Sequence, residues 1–236
     1  MNDLRIALLN ASGDENTPKN FRRELDAELV EFDVHETVPD TYDFDAAVVT
    51  GSRSSVYWDE PWIDALKGWV RTAVERGMAV LGVCFGHQVL ADALGGRVED
   101  MGEYEIGYRE VESRDESLLL GDEPMTVFTT HSDTVTELPP GAVQTAENDC
   151  GVHGFRVNNA FGVQFHPEYD METARVVAGG KDLPDDRIDR VLDDITEENY
   201  TKACEAKTLF GRFTAFIRGN GPSASAAQPA PSAESD

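Results

Sequence analysis

The chain has 236 residues, enough for one well-buried domain, and its 45 acidic residues against 20 basic ones leave a formal charge of −25. Such a charge repels nucleic-acid phosphates and anionic lipid headgroups, which argues against nucleic-acid or membrane partners. Cys84, Cys150 and Cys204 are too few and too scattered for a disulfide framework or a zinc site.

No apolar run is long enough to span a bilayer, and the first residues lack the basic-then-apolar pattern of a secretion signal. These features predict a soluble protein of the reducing cytoplasm. The acid is spread along the whole chain, while lysine occurs only at Lys19, Lys67, Lys181, Lys202 and Lys207. At molar salt the Debye length falls to about 3 Å, so dense like charge costs little there. The composition therefore predicts a surface suited to high salt.

Short apolar runs alternate with helical patterns through the first hundred residues, as in a parallel sheet with crossover helices. Residues 4–9, 29–34, 45–50 and 78–83 are the expected strands. Residues 61–76 place Trp62, Ile63, Leu66, Trp69, Val70 and Ala73 at helical spacing, with Pro61 suited to the first turn and Gly77 to the end. A helix is expected from Gly86, stopped by Gly95 and Gly96.

A strand-rich section follows, with strands expected at Val98 and over 108–111, 125–130, 143–146, 154–157 and 162–165, separated by Gly, Pro and Asn turns. Hairpins should thus extend the parallel sheet. Helices over 184–195 and 200–217 close the fold, the second with Leu209, Phe210, Phe213 and Phe216 on its apolar side. The acids of the first read as a solvated face. Residues 1–218 form the expected domain; 219–236 are rich in Pro, Ser and Ala, too poor in apolar surface to order, and are expected to be a disordered tail.

The strand over 78–83 runs straight into Cys84, Phe85, Gly86 and a helix, so Cys84 falls on a sharp strand-to-helix turn like a nucleophile elbow. Gly82 and Gly86 relieve crowding at the bend, and the helix mouth favours a thiolate. A lone cysteine is usually just a small buried hydrophobe; the strand, the helix and the two glycines set this one apart. The nucleophile needs a base, and the base needs orienting. His166 is expected at the end of the 162–165 strand, and Glu168 follows across Pro167, placed to hold the far imidazole nitrogen.

Val80 to Gln88 together with Gly162 to Glu168 resemble the class I, triad-type glutamine amidotransferases, and Thr50, Gly51 and Ser52 resemble that family's oxyanion loop. The resemblance implies a three-layer, flavodoxin-like α/β fold, its sheet mostly parallel with an antiparallel extension. It implies catalysis by Cys84, His166 and Glu168, with oxyanion donors at Gly51 and Phe85. Gln88 is then a contact for the substrate amide, and His131, Ser132 and Asp133 line the α-amino and α-carboxylate end of glutamine. Ser132 stands where relatives commonly have Gly. His87 is assigned a structural role, and His35 and His153 none.

The resemblance implies hydrolysis of glutamine without metal or organic cofactor, the ammonia passing to a separate synthetase. The segments around Gly51 to Tyr57 and Glu105 to Tyr108 resemble stand-alone proteins grouped with the amidotransferase of GMP synthetase. Two other readings stay open at this point: a γ-glutamyl peptidase acting on glutathione-type conjugates, and a non-enzymatic binding module.

Overall fold

The computed structural model describes residues 4–114 and 117–219, so the expected tail lies outside the described residues except for Gly219. Five parallel strands form half of the sheet: β1 (Arg5–Asn10), β2 (Glu28–Asp33), β3 (Ala46–Val49), β4 (Ala79–Val83) and β9 (Ala160–Val163). Antiparallel strands extend it: β5 (Arg97–Ser113), β6 (Met125–Glu137), β7 (Val143–Asn148) and β8 (Gly151–Val157). The nine strands run in the order β2-β1-β3-β4-β9-β8-β7-β5-β6. This is the expected mixed α/β architecture.

Alternation along β1 shows how the sheet divides two cores. Ile6 and Leu8 face one core with Phe21 of α1 (Asn16–Glu24) and with Leu209, Phe210 and Phe213 of the last helix. Ala7 and Leu9 face the other, with Ile63, Leu66 and Val70 of α2 (Pro61–Glu75) and Val89 and Leu90 of α3 (Phe85–Ala93). A strand buried on both faces reads as a continuous apolar run, which is why β1, β3 and β4 are legible in the sequence. Helices thus cover both faces of the sheet. A third cluster packs α4 (Met171–Gly179) and α5 (Asp185–Asp194) on Ile106 and Phe128 of the β5–β6 hairpin.

Several expectations need correction. Val98 and residues 108–111 belong to one 17-residue strand, bent by register shifts at Arg97/Val98 and Asp100/Glu105; Gly102, at φ 73°, supplies a turn-like residue inside it. Acidic residues dominate the bend, and they hide the strand from a periodicity count. The 125–130 strand continues to Glu137, which puts His131, Ser132 and Asp133 on β6. The single helix over 200–217 is three pieces: α6 (Glu197–Ala203), a 3-10 turn (Cys204–Lys207) and α7 (Thr208–Ile217). Helices α1 and α4 are not among the expected elements. No described helix is long and apolar enough to cross a membrane.

Candidate active site

Cys84 sits between β4 and α3 with φ 53° and ψ −105°, a backbone conformation that side chains rarely adopt. The surrounding packing enforces it. A Cβ on Gly82 would lie 2.3 Å from the Gly86 carbonyl oxygen, and one on Gly86 would lie 2.3 Å from the Val49 carbonyl oxygen. The Cys84 N–H donates to the Val163 carbonyl at 2.8 Å, which ties the elbow to β9. Cys84 itself is 5% exposed.

His166 follows β9, and its Nδ1 lies 2.8 Å from Glu168 Oε1, with both side chains buried. Its Nε2 has no hydrogen-bond partner among the described residues. Burial pushes the imidazolium down, but the carboxylate of Glu168 and the negative charge available at Cys84 outweigh it and raise its pKa to about 10. The ring stacks on Tyr169 at 4.1 Å between centroids. Arg23 of α1 clamps the segment from outside, donating to the Glu168 carbonyl and to Asp170. Sequence reasoning found neither Tyr169 nor Arg23; their type alone carries no signal.

Gly51 closes the third side. A Cβ there would lie 3.0 Å from His166 Cε1 and 3.7 Å from Cys84 Cβ, so the bare backbone faces the cysteine and the histidine. Among the described residues, the N–H groups of Gly51 and Phe85 have no hydrogen-bond acceptor. Two cavities meet at Cys84. One of about 460 Å³ is lined by Gly51, His166, Glu168 and Asn16; the other, of about 290 Å³, by Phe85, Gln88, Ser132 and Asp133.

The remaining expected site residues divide. Asp133 is 5% exposed and lines the smaller cavity, and its Oδ1 accepts from Tyr57 Oη at 2.9 Å. Gln88 reaches the same cavity, but its Nε2 is bonded to the Asp133 carbonyl and to Gln164 Oε1, leaving its Oε1 as the free group. The His131 ring is buried, with Nδ1 on the Asp133 carbonyl and Nε2 2.7 Å from Glu105 Oε2. The ring thus lies between a carbonyl and a carboxylate. His131 therefore anchors the strand, and its polar atoms are turned to the interior.

His153, which had no assigned partner, joins it on the same Glu105 oxygen at 3.1 Å. Burial alone would raise the Glu105 pKa, but the hydrogen bonds and charges of the two imidazoles hold it well below the usual carboxylate range. His87 fills space as expected: it is fully buried against Phe155, and burial followed by the neighbouring His153 and His131 lowers its pKa to about 3. His35 lies elsewhere, hydrogen-bonded to Asp33 and packed on Trp62.

Residues 15–177 match the family described as glutamine amidotransferase class-I. The chain belongs to that family. Among curated relatives of this amidotransferase, one of the subunits of the glutamine-hydrolysing GMP synthase of Halobacterium salinarum is 35% identical over 152 residues, 62% of this chain and 78% of that protein. The glutamine-hydrolysing GMP synthases of Aromatoleum aromaticum and Vibrio campbellii are each 33% identical, over 163 and 177 residues. The match spans 30% and 33% of their lengths, so this amidotransferase corresponds to about a third of those longer proteins. A glutamine amidotransferase from Thermotoga maritima superposes with a TM-score of 0.75 at 21% identity, covering 90% of this chain and 99% of that one. One from Methylobacillus flagellatus gives 0.74 at 22% identity, covering 91% and 94%. These two likenesses establish the amidotransferase fold.

Proposed function

We propose that the chain hydrolyses glutamine to glutamate and ammonia through a γ-glutamyl thioester on Cys84, and that the ammonia passes to a separate synthetase, in the manner of a two-subunit GMP synthase. The observation that carries the reading is the convergence of Cys84, the His166–Glu168 pair and the bare backbone of Gly51 at the meeting of two cavities.

Glutamine enters the smaller cavity with its α-ammonium toward Asp133 and its carboxamide carbon against Sγ. As the C–S bond forms, the amide oxygen gains charge, and the N–H groups of Gly51 and Phe85 receive it; one such donor is typically worth about 2.7–4 kcal/mol. His166 gives its proton to the departing nitrogen, the C–N bond breaks, and ammonia leaves. Acylation leaves Sγ without a charge, so the contribution of Cys84 to holding the His166 proton is lost. The imidazole is thereby made a better base at the moment when it must take a proton from the attacking water. Water then displaces Sγ, which leaves as thiolate with glutamate as product.

The three cysteines are free, which suits a cytoplasmic, reducing location. Steady-state ammonia release from glutamine, measured alone and with a cognate synthetase, tests the reading. Slow hydrolysis alone that rises with the synthetase is the expected result. Rapid cleavage of glutathione-type γ-glutamyl peptides with no action on glutamine would overturn it.

A further inference from the structure

The loop that follows β3 carries Gly51 and makes few hydrogen bonds to the rest of the fold. Thr50 fixes its start by accepting from the Ala11 N–H at 2.9 Å, and Val56 is buried in the core. Between and beyond these anchors, residues 52–58 bond only to one another and to Glu60, with one exception among the described residues. That exception is Tyr57 Oη, which donates to Asp133 Oδ1 at 2.9 Å.

Asp133 is in turn immobilised at its backbone. Its carbonyl accepts from Gln88 of α3 and from the His131 ring that Glu105 holds. Its carboxylate has no other hydrogen bond and no ion pair among the described residues, although it lines the cavity beside Cys84. Burial and the bond to Asp133 both raise the Tyr57 pKa, so the phenol remains the donor. Tyr57 is 46% exposed, so its hydroxyl, and not burial of its ring, is what ties this residue to β6.

We propose that Tyr57 is a positioning residue that couples occupation of Asp133 by the substrate's α-ammonium to the placement of the Gly51 oxyanion donor. This rests on the reading of the chain as a glutaminase. A cation on Asp133 fixes its carboxylate in one rotamer, and the hydrogen bond transmits that fixation to the loop six residues after Gly51. Charge-assisted hydrogen bonds of this kind are worth about tenfold or more in an equilibrium constant. An α-ammonium then raises kcat as well as lowering KM.

The test compares glutamine with glutaramate, the same amide without the α-amino group, on wild type and Tyr57→Phe. In wild type, kcat should be higher for glutamine. In the variant, kcat for glutamine should fall about tenfold toward the glutaramate value, with kcat for glutaramate and KM for glutamine changed less than about threefold. Equal loss of kcat on both substrates, a rise in KM alone, or no change would each overturn the coupling. A wild type that hydrolyses neither amide would overturn the glutaminase reading and the coupling with it. One that hydrolyses glutamine while the variant keeps the wild-type kcat ratio overturns the coupling alone.

Discussion

Gly51→Ala separates the proposed oxyanion donor from the fold. Gly51 does not have a positive φ, so alanine is conformationally permitted there, and fewer unfolded states would on their own stabilise the chain by about 0.4–1 kcal/mol. The new methyl would nevertheless lie 3.0 Å from His166 Cε1, several tenths of an ångström inside ordinary contact, and 3.7 Å from Cys84 Cβ. His166 is braced by Glu168 and Tyr169, so the loop is the part that yields. A donor displaced by a fraction of an ångström to 1 Å costs about 10²-fold in rate, close to the loss of the donor itself. The variant should keep a melting temperature within a few degrees of wild type while kcat for glutamine falls about 10²-fold. Alkylation of Cys84 by iodoacetamide, which needs no oxyanion donor, should persist. Wild-type kcat in a folded Gly51→Ala protein would refute the argument that this backbone faces the reacting carbonyl.

Gly86→Ala should fail to fold or melt far below wild type, because the added Cβ meets backbone atoms of β3 that cannot swing away; a soluble variant with wild-type melting would contradict the packing described. His166→Asn should reduce turnover by about 10³-fold or more, and Glu168→Gln by less, since in the proposed mechanism the histidine moves protons and the carboxylate orients it; equal activity of wild type and His166→Asn would exclude the triad. The pKa of His166 is raised from 6.5 to about 10, so the stabilisation it supplies is fully present below about pH 6.5 and is lost as pH rises through 10. The melting-temperature gap between wild type and His166→Asn should therefore shrink from pH 7 to pH 10, and a gap that widens would reverse the sign. With a net charge of −25, the melting temperature should rise from millimolar to molar potassium chloride; a fall would remove the high-salt reading of the surface.

The parallel half of the fold was legible because its strands are buried on both faces and its helix α2 on one, so apolar pattern and structure coincide. The hairpin half was less so. Strand β5 carries Glu99, Asp100, Glu103 and Glu105 around its bend, and only Glu105 is buried, held by partners 26 and 48 residues away. Nothing local in the sequence reveals that Glu105 and His131 face one another across β5 and β6, a register visible only when the strands pair. The same reason hid Tyr57: a tyrosine in a polar loop reads as surface until the strand that bears Asp133 is placed against it.

Cys84, His166 and Gly51 could nevertheless be brought together from sequence, though they are 33 to 115 residues apart, and the topology explains why. Each lies just past the C-terminal end of a strand, Gly51 after β3, Cys84 after β4 and His166 after β9, and these three strands are consecutive neighbours running in parallel. Register sets the depth: Val49 pairs with Gly82, and Gly82 with Gly162, so the three chain exits stand level at one edge of the sheet. In open parallel sheets that edge is where ligands bind. Level exits alone would still leave about 5 Å between strands, too far for side chains and backbone to act on one atom. The bend at Cys84 and the missing side chains of Gly82, Gly86 and Gly51 remove that gap, which is why substitutions as small as a methyl group should separate folding at Gly86 from catalysis at Gly51.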